Sequence, residues 1–304
     1  MAIVERDLVG GECSFYACMP SKALLRPAEL LREVARVPGA AQAVTGKLDV
    51  DAVLARRDQI VNGHDDSNQV PWLTARNIEL VRGTARLDGE RLLRAIGRMP
   101  LTEGLGLETV GLPAGGYIDV DDHLRVIRAP GLYAIGDVNG RSLLTHSGKY
   151  QARIAADHIL GVPAIALTDG PGAPRVVFTD PQIAAVGLTL DAALREGIAA
   201  DVVDLPTGGT AGASFYGRGA AGTTRFVVDD EREVLIGATF VGPEVADFLQ
   251  AATIAIVGEI PLSTLAHAIA PFPSRSELWL KFFEAYEAAH GTTLYAQTAL
   301  AGVH

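Results

Sequence analysis

Apolar residues fall into two rhythms along this chain. Ala2-Ile3-Val4 is a short apolar run closed by Glu5, the pattern of a buried strand. Gly10-Gly11 interrupts it, and from Ser21-Lys22-Ala23-Leu24-Leu25 apolar residues recur at helical spacing to about Val37. The helical pattern from Pro27 to about Ala75 uses Leu30, Leu31, Val34 and Val37, then Val53, Ile60 and Val61. Ile78 to Leu87 reads as strands with a turn. A further strand carrying Leu132, Tyr133 and Ile135 delivers Gly136-Asp137, and a helix opens over Leu144 to Ala156. Leu167 to Pro174 has loop composition and marks a domain boundary. Strand patterns then cover Arg175–Phe178, Ala199–Asp204, Thr223–Val228 and Val234–Val241, mixed with helices near Thr189–Glu196, Val245–Val257, Leu262–Ala268 and Ser276–Ala289. The pattern predicts an α/β part over residues 1–165, an α+β part over 174–290 and a tail over 291–304.

Composition narrows the partners. A chain of 304 residues, 48% of them hydrophobic, can fill two cores. A formal charge of −10 argues against nucleic acid or an anionic membrane as the main partner. The longest apolar stretch, Phe248 to Leu262, is interrupted by Gln250, Glu259 and Pro261, so no spanning helix and no signal peptide is expected. A cytoplasmic location follows as the expectation, and two cysteines there suggest catalysis more than stapling.

Those two cysteines lie in Gly10-Gly11-Glu12-Cys13-Ser14-Phe15-Tyr16-Ala17-Cys18-Met19-Pro20-Ser21-Lys22. They sit at or just before a helix N-terminus, where unpaired N–H groups and the helix dipole should stabilise a thiolate and lower the thiol pKa. Positions five apart in a regular helix are separated by roughly 7.5 Å of rise, and disulfides seldom form once Cα atoms are more than about 7 Å apart. Pairing therefore requires a distorted first turn, for which Pro20 is suited. Two inert thiols, a structural disulfide and half of a metal site are the alternatives. No metal is expected, because no nearby Cys or His completes four ligands.

The wording GGxCxxxxCxPSKxLL resembles the redox-active disulfide motif of the FAD-dependent pyridine nucleotide-disulfide oxidoreductases, the group of lipoamide dehydrogenase, glutathione reductase and mercuric reductase. The resemblance implies that Cys13 exchanges with substrate, that Cys18 faces the flavin, and that Gly11 and Lys22 lie beside it. Glu5, an acid closing a strand, becomes a candidate for the FAD adenosine ribose. Ala134-Ile135-Gly136-Asp137 resembles the A-x-G-D signature whose Asp binds the ribityl chain, and His146 opens the helix the family places beneath the isoalloxazine. The fold implied is an incomplete Rossmann-like FAD-binding domain followed by an α+β dimerisation domain, hence a homodimer. Val177 to Thr189 and Ile236 to Pro243 carry the second resemblance, and the apolar helices would otherwise leave an exposed patch.

Three departures complicate it. Ala95-Ile96-Gly97-Arg98-Met99-Pro100-Leu101-Thr102 resembles the family's return from its NAD(P)H domain, yet only Asp88 to Arg94 precede it. A nucleotide-binding domain needs about 100 residues, so NAD(P)H, the family reductant, has no module in this sequence. The Gly-x-Gly-x-x-Gly turn expected before Glu5 is also missing, and the reading frame is expected to extend upstream of Met1. Where disulfide-reducing members carry His-Pro-x-x-x-Glu, this chain has Phe272-Pro273-Ser274-Arg275-Ser276-Glu277. Phenylalanine cannot transfer a proton. Glu277 remains as a candidate catalytic residue, and His267 is poorly placed to substitute. The tail has no cysteine pair, which argues against mercury as substrate. Two functions are expected: an oxidoreductase passing electrons from NAD(P)H through FAD and the Cys13/Cys18 dithiol to a small acceptor, or a truncated, catalytically inactive dimerising remnant.

Overall fold

A computed structural model describes residues 2–85, 100, 102–170, 172–217 and 219–297. The expected junction at 88–94, Ala95 to Met99 of the return segment and the end of the 291–304 tail lie outside the described residues. The chain forms two compact units: one runs to Pro27 and takes in Leu48–Gly170, and the other consists of Ala28–Lys47 and the chain beyond Gly170.

The first unit opens with β1 (Ala2–Glu5), α1 (Gly11–Phe15) and α2 (Cys18–Arg36), whose last residues cluster with the second unit. α3 (Val50–Ile60), α4 (Val70–Thr74) and β2 (Glu79–Arg82) follow. β1 and β2 pair in parallel, with Ala2 opposite Glu79 and Glu5 opposite Arg82. The pattern from Ile78 to Leu87 suggested strands with a turn, but the described part yields β2 alone, ending before Gly83, whose N–H donates to the Glu5 carbonyl. The expected strand through Leu132, Tyr133 and Ile135 is not regular: its only ladder contact is an isolated Arg125–Tyr133 bridge. Leu132 and Ala134 are buried with Leu107, Leu112, Val126 and Val138 in a small core, so burial rather than sheet pairing explains their apolar character. α5 (Thr145–Ile159) closes this unit, its Ala155 packed with Leu124 and Ala166.

The second unit is a five-stranded antiparallel sheet with helices on both faces. Its elements are β3 (Arg175–Val177), β4 (Gln182–Gly187), α6 (Leu190–Arg195), β5 (Ala200–Pro206), β6 (Thr223–Asp229), β7 (Val234–Gly242), α7 (Leu249–Val257), α8 (Leu262–Leu265) and α9 (Glu277–His290). The strand order is β3-β4-β7-β6-β5. Alternation sorts β6 to two faces: Phe226 and Val228 meet α7 and α9, while Val227 packs with Ala193 of α6. Leu278, Phe282 and Tyr286, spaced four apart on α9, lay one stripe on the sheet. The Phe282 and Phe226 rings lie 4.3 Å apart, and Phe240 meets Phe226 edge-on at 5.6 Å. Gly237 is required where β7 crosses the end of β4, because a Cβ there would stand 1.9 Å from the Leu188 carbonyl oxygen.

The C-terminal end of α9 is held by His290. His290 Nδ1 donates to the Tyr286 carbonyl at 2.9 Å, and Nε2 lies 3.8 Å from both Asp201 and Asp230. Burial, then the like charge of Asp201, pushes the Asp230 carboxyl above its ordinary value.

Two outcomes are expected. Phe282→Ala should lower the unfolding free energy by about 3–5 kcal/mol in denaturant titrations. A carboxyl whose folded pKa is raised contributes stability that is full below its unfolded value and lost as pH rises through the folded one. Asp230→Asn should therefore raise the thermal midpoint at pH ~7, and the gain should vanish below pH ~4.

Candidate functional site

The approach to the cysteines is pinned from below. Asp66 is buried, and its Oδ2 accepts the Val9 N–H at 2.6 Å and an Arg82 guanidinium N–H. The same guanidinium donates to the Asp7 carbonyl. The Val9 N–H, then Arg82, hold the Asp66 carboxyl below the usual carboxylate range. One acid thus ties the end of β2 to the loop leaving β1, and nothing local in the sequence signals it. Gly10 and Gly11 then take positive φ, 118° and 61°, a conformation that suits glycine.

The helix breaks between the cysteines. The N–H groups of Tyr16 and Ala17 both donate to the Glu12 carbonyl, at 2.9 and 2.6 Å, which ends α1 and lets α2 restart at Cys18. Pro20 falls in the first turn of α2, where its missing N–H costs nothing. Buried Phe15 anchors the break. Both thiols are free and half-buried, and each acts electrostatically on the other. Lys22 is exposed one turn beyond Cys18.

The Cys13 thiol departs from the expected depression. Burial, the largest cause, pushes its pKa up; the Thr145 hydroxyl lowers it, the neighbouring Cys18 raises it, and the positive charge of Lys149 lowers it. The physical reason is that α1 has only five residues, so its dipole is small, whereas desolvation acts on the thiolate in full.

Thr145 opens α5, whose N-terminus has no side-chain cap, and His146 beside it is exposed. α5 also meets the Gly136-Asp137 turn. Gly136 has φ 78° and begins a single 3-10 turn through Asn139, with Asp137 half-buried on it. A Cβ on Gly148 would stand 3.4 Å from the Gly136 Cα, so helix and turn pack backbone to backbone. The turn thus packs on the first part of α5, the helix whose Thr145 hydroxyl acts on the Cys13 thiol. Glu5, at the end of β1, accepts the Asp7 N–H at 2.8 Å.

Glu277 lies in the second unit. Its carboxylate oxygens accept the Ala211 N–H at 3.0 Å and the Ser274 N–H at 3.2 Å. Gly212 faces the Ser274 backbone so closely that a Cβ would fall 2.2 Å from its carbonyl carbon. Arg275 is sandwiched over Tyr216 and Phe248, 4.5 and 4.6 Å from the ring centroids. The 272–277 segment is braced by these contacts, and it presents Phe272 with 79% of its surface exposed. His267 turns its ring edge to Tyr295 at 5.4 Å. Among the described residues no group of three or more His, Cys, Asp or Glu could hold a metal, and no helix is long and apolar enough to cross a membrane.

A flavin fits part of this donor set. Gly11 and Gly136 have open space where a Cβ would point, and exposed Lys22 and the uncapped start of α5 offer donors to an electron-rich ring edge. Thr145→Val should raise the Cys13 thiol pKa further by removing the hydroxyl that lowers it. The pH dependence of alkylation in a Cys18→Ser background should shift to higher pH; an unchanged profile would remove Thr145 from the site.

Comparison with known proteins identifies the family. Residues 61–156 match the family model for pyridine nucleotide-disulphide oxidoreductases, and residues 173–281 match that family's dimerisation domain. The dithiol segment precedes both matched stretches. Dihydrolipoyl dehydrogenase from Thermus scotoductus is 36% identical over 208 residues, 68% of this chain and 43% of the relative. The enzyme of the same name from Mycobacterium tuberculosis H37Rv is 37% identical over 194 residues, 63% and 41% of the two chains. The chain thus spans less than half the length of these relatives. Among solved structures, LpdA from Mycobacterium tuberculosis superposes with a TM-score of 0.74 at 20% identity, covering 95% of this chain and 93% of that one. The Cu(II) complex of the HOCl-induced flavoprotein disulfide reductase RclA from Escherichia coli gives 0.76 at 16% identity, covering 93% and 94%. By the two family matches, which fall either side of the boundary loop, the chain belongs to the pyridine nucleotide-disulphide oxidoreductase family.

Proposed function

We propose that this protein is a dithiol–disulfide oxidoreductase that uses FAD and acts on a small disulfide or related acceptor. The observation that carries the reading is the helix break between Cys13 and Cys18, in the same unit as the Gly136-Asp137 turn that packs on α5. In this reading Asp137 and Gly136 hold the ribityl end of the flavin, Gly11, Lys22 and His146 line its ring, and Glu5 serves the adenosine ribose. FAD, when bound, would supply two-electron exchange between the dithiol and a reductant.

The chain's own residues account for the sulfur chemistry. Cys13, as thiolate, attacks a substrate disulfide, and one substrate thiolate leaves. Cys18 then attacks the Cys13 sulfur of the mixed disulfide, releasing the second substrate thiolate and closing the Cys13–Cys18 disulfide. The dithiol loses two electrons and two protons, and the substrate disulfide becomes two thiols. Phe272 offers no base, and both Glu277 oxygens hold backbone N–H groups, so the Cys13 proton passes to water or to the departing thiolate. Thr145 and Lys149 supply the stabilisation of the thiolate. The raised Cys13 pKa implies a rate that climbs with pH through the thiol range.

The second unit supports a homodimer, because pairing would cover exposed Ile254, Val257, Ile269, Phe272 and Leu280. The cytoplasm is the compartment this reading fits, since it assigns the chain's two cysteines to exchange chemistry and not to a structural cross-link. The competing reading, an inactive dimerising remnant, draws on the two-stranded β1–β2 sheet, which among the described residues is the only sheet of the first unit.

The visible spectrum separates the two. Purified protein should carry or take up FAD, with absorbance bleached by an added dithiol and restored by oxidant; Cys18→Ser should abolish the bleaching. NADH and NADPH should fail to bleach it. A protein that stays colourless when incubated with FAD would leave only the remnant reading.

A further inference from the structure

The Gly136–Asn139 turn is held by a side chain that reaches it from α5. Gln151 is fully buried, with 0% of its surface exposed. Its Oε1 accepts the Gly136 N–H at 2.7 Å and the Asn139 Nδ2–H at 2.9 Å, and its Nε2 donates to Asp169 Oδ2 at 2.9 Å. Asn139 Nδ2 also donates to the Ala134 carbonyl at 3.0 Å, so the amide closes the turn from both ends. The Asp169 side chain is 1% exposed, and its charge is met by Arg141 Nε at 3.3 Å. Arg141 in turn donates to the Asp121 carbonyl at 3.1 Å and to Asp122 Oδ1 at 3.0 Å. A carboxylate buried this deeply persists only where it is paired and hydrogen-bonded.

Each partner fixes one atom of the amide. Asp169 can only accept, so the side of Gln151 facing it must be the –NH₂, and the carbonyl must face the Gly136 N–H. Gly136 sits at φ 78°, and α5 packs on its Cα at Gly148. A turn of such backbone geometry needs its amide bonded if it is to stay in one conformation.

We propose that Gln151, oriented by the Asp169–Arg141 ion pair, is the positioning residue that sets the Gly136–Asn139 turn and hence the place of Asp137 for a flavin ribityl chain. This rests on the function proposed above. Gln151 does not touch the cofactor. It acts through the turn, and a glutamine is required because the site calls for an acceptor on one side and a donor on the other.

Two variants test it. Gln151→Leu removes both functions and should weaken FAD binding, read by quenching of flavin fluorescence, by roughly tenfold or more. Gln151→Glu keeps the acceptor but sets a second carboxylate against Asp169. The charged groups in contact with this point are Asp169 and Arg141; Asp122 lies beyond Arg141, Asp137 is on the turn, and Lys149 and Arg153 are on α5 itself. A proton shared between the two carboxylates restores the missing donor. Affinity in Gln151→Glu, taken relative to wild type at the same pH, should therefore be low at pH ~8 and recover by pH ~5.5.

Unchanged affinity in both variants, or a Gln151→Glu loss that does not respond to pH, would overturn the proposal. If wild type binds no flavin, the proposed function fails, and hydrogen exchange at the Gly136 amide then decides the positioning claim. Faster exchange in Gln151→Leu supports it and unchanged exchange overturns it. Should Gln151→Leu fail to fold, the pH response of Gln151→Glu carries the test by both readouts.

Discussion

The candidate site depends on one bend in the chain, between Phe15 and Cys18. A continuous helix would hold the two sulfurs too far apart to pair. Two N–H groups converging on the Glu12 carbonyl end the first helix, and the second begins at the very cysteine that must turn back. Phe15 in the core and Asp66 beneath the preceding loop fix the bend from either side. Neither residue has any redox chemistry, yet without them the cysteines are two unrelated thiols.

α5 provides the second constraint. Its Gly148 packs on Gly136, its Gln151 grips the same turn from within, and the hydroxyl of its first residue lowers the Cys13 thiol pKa. A single helix therefore organises the turn side of the proposed flavin–dithiol site. The opposing effects on Cys13 show how the balance is set: burial outweighs the Thr145 hydroxyl and the Lys149 charge, and the thiol pKa lies above its ordinary value. Reactivity then requires either higher pH or a ligand that changes the local field.

The sequence made some of this legible and hid the rest for definite reasons. Strand patterns over Ala199–Asp204, Thr223–Val228 and Val234–Val241 announced β5, β6 and β7, and the helical pattern near Ser276–Ala289 announced α9. β4 escaped notice as a strand because Ala184, Ala185 and Gly187 carry little strand preference; its place is decided by pairing with β3 and β7. Leu132 and Ile135 suggested a strand because a buried irregular segment and a buried strand share the same apolar composition. Cys13, Cys18, Gly136 and Asp137 stood out through their neighbours in sequence. Asp66, Thr145 and Gln151 did not, since each acts on a residue distant in the chain and is an ordinary polar residue in its own segment.

Oxidation of the purified protein with diamide, followed by peptide mapping without reduction, measures the central feature directly. The bend predicts one intrachain Cys13–Cys18 disulfide, formed at every protein concentration and reversed by a small dithiol. Two unpaired thiols after oxidation, or bridges that form only between chains, would contradict it.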